Sequence, residues 1–203
     1  MSSQPAIVPI PAEPLELEGR IIVIGSYLIA AALAFFFVAF LFAFFYLRAL
    51  NTNGLWAGGA PGHPDHPALT VGVVVLACVL AGVALVRFVV VELRGRARPL
   101  WRRAGLLALL LGLAAVAVQC WQYTDLGFGT SEGGYASVYL GWTGFFSIFV
   151  FAVMLWLEAL LASTRRTTLP AAQLEPGFVA LSIVWTMLGL VDVVAFVLLY
   201  LVQ

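Results

Sequence analysis

Five long apolar stretches dominate the sequence, at about Ile21–Leu47, Ala68–Val91, Arg103–Trp121, Tyr135–Leu161 and Phe178–Val202. Each is near or above the roughly 20 residues a helix needs to cross about 30 Å of hydrocarbon. Peptide groups in lipid find no water, so a spanning segment must bond internally, as a helix or as part of a closed barrel. Barrel strands alternate apolar and polar residues, and these runs do not. The expected fold is all-α, a polytopic membrane bundle of five transmembrane helices. Composition supports this: 63% of the chain is hydrophobic and 10% charged, where a soluble domain carries about 25% charge. A soluble enzyme, a disordered chain and a nucleic-acid binder are thereby excluded. Acidic and basic residues number ten each, every basic one an arginine, so no net field draws in a polyanion.

The loops give an expected orientation. Arg94, Arg96, Arg98, Arg102 and Arg103 lie between spans two and three, and Arg165 and Arg166 between spans four and five. Loop 48–67 has Arg48 alone, and loop 122–134 has none. The positive-inside rule puts the Arg-rich loops in the cytoplasm. The N-terminus is then cytoplasmic and the C-terminus external. Residues 1–20, broken by Pro5, Pro9, Pro11 and Pro14, read as a cytoplasmic tail without the pattern of a secretory signal. Residues 21–203 read as one transmembrane domain. Trp56, Trp101, Trp121, Tyr123 and Tyr135 fall near span ends, where an interfacial aromatic belt is expected. Scattered glycines, among them Gly72, Gly82 and Gly112, suit close helix packing.

Ionisable groups inside a span cost several kcal/mol unless they meet protein, water or an opposite charge. Asp192 is the most notable, flanked by apolar residues in the second half of span five. It reads as a helix-anchoring hydrogen-bond group, with a proton site or subunit contact as the functional alternative. Arg87 and Glu158 sit at similar depth near the cytoplasmic ends of spans two and four, and are expected to reach for the interface or to pair. Gln119 and Gln122, at the external end of span three, can hydrogen-bond across helices; interfacial packing is the expected role, with a lipid headgroup contact as the alternative.

Metal or haem ligation needs convergent His, Cys, Met or carboxylate groups. His63 and His66 stand in a proline-rich loop, and no histidine lies in a span. Cys78 and Cys120 lie in apolar runs outside any CxxC pattern and read as buried free thiols. No catalytic, cofactor-binding or metal-binding residue is expected. Gly/Pro-broken helix pairs, the sign of a secondary transporter, are not apparent either.

Several blocks of the chain, in order, resemble subunit III of the heme-copper oxygen reductases, in a divergent five-helix form. They are Phe36–Tyr46 in span one, Trp121–Leu126 with the Gly-rich stretch to Gly134, Thr143–Val150 in span four, and Leu190–Tyr200 in span five. The resemblance covers about Gly25 to Val202. Of the family's marked groups only Asp192 stands in place. The two histidines of the fourth helix are Phe146 and Phe149 here, the histidine of the last helix is Gly189, and its later tryptophan is Ala195. The carboxylate of the first helix falls at Leu33, and the glutamate of the third at Gln119 or Gln122.

The resemblance implies a non-catalytic accessory subunit of a terminal oxidase in a prokaryotic cell membrane. Such a subunit supports the assembly, stability and lipid binding of the catalytic subunit. Its implied partners are oxidase subunits I and II and membrane lipid. Haem and copper are expected in those partners, with at most a structural phospholipid on this chain. Asp192, Glu158, Arg87, Gln119 and Gln122 are the expected structural, lipid or subunit contacts. The alternatives are a subunit-III-like partner of a nitric oxide reductase and a small independent transporter.

Overall fold

The computed structural model describes residues 15–50, 56, 67–95, 100–131, 133–166 and 171–202. Residues 1–14 of the expected tail, His63, His66, Arg96 and Arg98 lie outside the described residues. Five helices account for most of the rest: α1 (Leu15–Ala49), α2 (Leu69–Arg94), α3 (Leu100–Asp125), α4 (Gly134–Arg166) and α5 (Ala171–Phe196). The last of these passes into π-helical winding over Val197–Val202. All five are long and apolar enough to cross a membrane. Each covers the apolar run expected for it to within one residue, α5 with its π-helical continuation, and three extend past it at both ends. At 1.5 Å per residue the 35 residues of α1 reach about 52 Å. α1 also includes residues 15–20, the end of the segment read as a tail. α5 begins ahead of Pro176. A proline in the second turn withholds one N–H from the helix ladder, and α5 accommodates it near its start.

The helices close into a ring in the order α1, α5, α2, α3, α4, with α4 and α5 also in contact across it. This makes α4 and α5 the inner pair. Half of the most apolar window of α5 is buried in the bundle, 50%, against 17% for α1. The outer face of α1 is therefore left to hydrocarbon or a partner, and Phe35 is 78% exposed. Its inner face is aromatic. Phe36 meets Phe145 and Phe149 of α4 edge-on, with centroids 5.2 and 5.4 Å apart, geometry that favours ring pairs beyond their buried area.

Lipid tails are as apolar as leucine, so close backbone approach, not expulsion of water, drives these helices together. Glycines provide it where large side chains cross. Gly82 of α2 receives the Trp185 ring of α5, and an added Cβ would lie 2.5 Å from Cζ2. Gly112 of α3 receives the Met154 thioether of α4. Trp185 and Met154 are almost fully buried as a result.

Two expectations are corrected. Of the five aromatic residues assigned to an interfacial belt, Trp121 alone is exposed, at 60%. Trp56, Trp101 and Tyr135 are buried, and Tyr123 is half-buried. Trp56 packs on Phe44 and Tyr135, and Trp101 on Phe178. Position along a span gives depth but not radial direction, and these rings find partners inside the bundle. The cysteines are free, but they are not both buried: Cys78 is half-buried and Cys120 is exposed on the outer face of α3.

The glycine contacts lead to an ordered set of outcomes. Gly82→Ala meets the rigid Trp185 ring and should lower stability by about 1–3 kcal/mol, the usual cost of overpacking. Gly112→Ala meets a flexible methionine and should cost less. Gly25→Ala, with nothing within 4 Å, should be neutral or slightly stabilising, since alanine is the better helix former. Thermal unfolding in detergent measures all three.

Candidate functional site

Helical spacing places one polar stripe on each of two helices. On α3, Gln119 and Gln122 are three apart and share a face. On α4, Tyr135, Tyr139, Thr143 and Ser147 recur every fourth residue. The two stripes face each other near the end of the bundle that holds Ala68 and Asp125, and Tyr200 of the π-helical segment closes the gap between them.

Tyr139 is the centre of this cluster and is fully buried. Its hydroxyl donates to Gln122 Oε1 at 2.8 Å and accepts from Gln119 Nε2 at 3.3 Å. It also bonds the Tyr200 hydroxyl at 3.0 Å. Tyr200 in turn donates to Gln122 Oε1 at 3.2 Å. Gln122 Nε2 reaches the Ala68 carbonyl, at 3.5 Å, just ahead of α2. Beside this group, Tyr123 Oη donates to Thr143 Oγ1 at 2.8 Å, and Tyr135 Oη to the Leu199 carbonyl at 2.6 Å. The cluster thus ties α3, α4, the start of α2 and the end of α5 together with neutral groups. Thr143 and Ser147 also donate to carbonyls four residues back, at 2.7 and 2.8 Å. That is the ordinary way a helix satisfies buried hydroxyls.

Asp192 lies one step deeper, 7% exposed, on the buried face of α5 that carries Leu188, Val191 and Ala195. The expectation that it anchors a neighbouring helix finds no direct bond. Its Oδ2 is buried with no hydrogen-bond partner among the described residues. It borders a cavity of about 10 Å³ shared with Gln119, Trp142, Thr143 and Tyr200. Trp142 carries a second orphaned group, its indole Nε1–H.

The other expected residues lie elsewhere. Gln119 and Gln122, expected to pack at the interface, are buried and bond across helices to Tyr139. Arg87 and Glu158 are both exposed on the outside of the bundle. They lie on α2 and α4, helices that the ring order separates by α3, and no ion pair joins them. At the same end of the bundle, Arg94 Nε meets Glu175 Oε1 at 2.8 Å and links α2 to α5. This pair is largely exposed, so it contributes at most about 1 kcal/mol. No three His, Cys, Asp or Glu side chains gather into a possible metal site among the described residues. The site can donate, accept and hold protons. Sequence reasoning missed Tyr135, Tyr139 and Trp142. The four-residue spacing from Tyr135 to Ser147, two turns of which face two glutamines one span earlier, was the available signal.

Neither the family models nor the curated proteins compared with this chain match it.

Tyr139→Phe removes one hydroxyl that three side chains share. It should lower stability by about 1–3 kcal/mol, because buried partners are left unsatisfied. Tyr46→Phe, on the exposed face of α1, should leave the unfolding temperature unchanged in the same detergent melt.

Proposed function

We propose that the chain is a non-catalytic accessory subunit of a heme-copper terminal oxidase, seated in a prokaryotic cell membrane beside subunits I and II. One observation carries this reading. The blocks that resemble oxidase subunit III are scattered over the sequence, and they meet in space. Phe36 of the first block packs on Phe145 and Phe149 of the fourth-helix block. Tyr123 of the third-helix block bonds Thr143 of that same block. Tyr200 of the last block bonds Gln122 of the third. The segments in which the resemblance lies therefore form the polar and aromatic centre of this bundle.

The role follows from what the chain offers. Its outer faces are large and apolar, from Leu28 and Phe35 on α1 to Leu110 on α3 and Ile148 on α4. Such faces suit docking against other membrane helices and lipid. Redox chemistry on this reading belongs to the partners, which hold the haem and copper. The accessory chain supports their assembly and their lipid surroundings. The N-terminus is cytoplasmic and the C-terminus external, following the arginine-rich connections between α2 and α3 and between α4 and α5.

Mild-detergent purification of the tagged chain from its native membrane should bring down haem- and copper-bearing subunits, with a visible haem spectrum and partners identified by mass spectrometry. A complex with haem and non-haem iron but no copper would replace the oxidase with a nitric oxide reductase. A chain that purifies alone and is itself coloured would overturn the accessory role.

Orientation has its own measurement. In a chain with Cys78 and Cys120 changed to alanine, Gly129→Cys should react with an impermeant thiol reagent in intact cells. Gly95→Cys should react only after permeabilisation. The reverse pattern would invert the topology.

A further inference from the structure

Two buried polar atoms in the bundle centre lack partners among the described residues and belong to side chains that border one cavity: Asp192 Oδ2 and Trp142 Nε1. Gln119, Thr143 and Tyr200 line the same space. Gln119 directs its amide N–H groups to Tyr139 and Gln122. The volume, about 10 Å³, matches the smallest space that holds one water molecule, and a buried water needs two to four polar partners. An unpaired buried donor and an unpaired buried acceptor on two side chains that border one water-sized space are each costly when left alone, and a single molecule within reach of both would satisfy them.

We propose that this cavity is a binding site for one water molecule, which bridges Asp192 to the Gln119–Tyr139–Tyr200–Gln122 cluster and lets the carboxyl exchange its proton with solvent. The inference goes beyond the oxidase reading and does not rest on it. The charged and titratable groups facing the cavity are few. α2 presents Gly72 and Val75, α3 presents Gln119, and α4 presents Trp142, Thr143 and Phe146. Asp192 and Tyr200, from α5 and its continuation, are the titratable side chains on its wall, and no cation is there. A carboxyl without a cationic partner in such surroundings keeps its proton. It donates that proton to the water, and Trp142 Nε1–H is the second available donor. The water's own O–H groups then have the Gln119 carbonyl oxygen and the Thr143 and Tyr200 hydroxyls as acceptors.

The path leads one way. From the cavity, hydroxyls that can both give and take a proton continue from Tyr200, which is only partly buried, to Tyr139, with Gln119 and Gln122 holding them in place. In the opposite direction the interior along α5 is Leu188, Trp185, Leu181 and Phe178, all buried, and the one polar side-chain atom among them, Trp185 Nε1, has no partner among the described residues. Asp192 thus communicates with the end of the bundle that carries Ala68 and Asp125.

Infrared spectroscopy of the purified full chain in lipid nanodiscs tests this. The carbonyl band of a protonated carboxylic acid should be present in the wild type and absent in Asp192→Asn. On transfer to heavy water it should shift promptly. Ala195→Val, which fills the cavity wall without touching a polar group, should keep the band and slow its shift at least about tenfold, the factor one ordinary hydrogen bond corresponds to. Tyr200→Phe, which removes the hydroxyl beyond the water, should slow it similarly. Helix content by circular dichroism separates these effects from misfolding, and either variant alone decides the matter. No band sensitive to Asp192, or a band that shifts equally fast in a folded Ala195→Val or Tyr200→Phe chain, would overturn the proposal.

Discussion

A peptide group in hydrocarbon must bond to its own chain, and the rest of this architecture follows from that constraint. It commits each apolar run to a helix before any side-chain contact is made. Once the helices exist, hydrophobic burial no longer separates one arrangement from another, because lipid solvates leucine as well as a neighbouring helix does. Selection passes to shape and to polar groups. Trp185 against Gly82 and Met154 against Gly112 are the shape terms. The cluster around Tyr139 is the polar term. The first lets α2 approach α5 and α3 approach α4. The second fixes which faces meet, because its members have partners in one register only.

The two terms overlap along the bundle. Of the α2 glycines, Gly72 receives the Tyr200 ring above Asp192 and Gly82 receives the Trp185 ring below it. The polar cluster lies above Asp192, where α3, α4 and the end of α5 converge. Asp192 stands at the boundary. A carboxyl there is too deep for direct solvation and too short to reach the tyrosines, so its environment is set by whatever fills the gap between them. Trp142 shares that position, which accounts for two orphaned polar atoms bordering one small space.

Much of the fold was legible because the signal was redundant. The number of helices and their approximate ends could be read from hydropathy alone, since each run exceeds the span of the bilayer core. Radial direction was not legible. Trp101 and Tyr135 look like belt residues by position along the chain, yet they turn inward onto Phe178 and onto Trp56 and Tyr139. Arg87 and Glu158 share a depth but lie on helices the ring keeps apart. Within the candidate site, Asp192, Gln119 and Gln122 drew attention because polar atoms are rare in such runs. Tyr135 and Tyr139 did not, because tyrosine is common near membrane interfaces and its hydroxyl carries no hydropathy signature. Which partners a buried hydroxyl finds depends on how helices 20 to 80 residues apart are rotated, and no local pattern encodes that.

The π-helical winding of Val197–Val202 sets the phase of everything after Phe196. Each peptide in such a winding bonds one residue further along than in an α-helix, so the final turn holds more residues than its length suggests. Rewinding the same residues as an ordinary α-helix would leave Asp192 and everything upstream in place. Tyr200, four residues past Phe196, would then be turned by about 70° around the axis and swing away from Tyr139 and Gln122. The tail of the last helix therefore works as a vernier: its wider winding decides whether the polar cluster gains its third helix or stays open on that side.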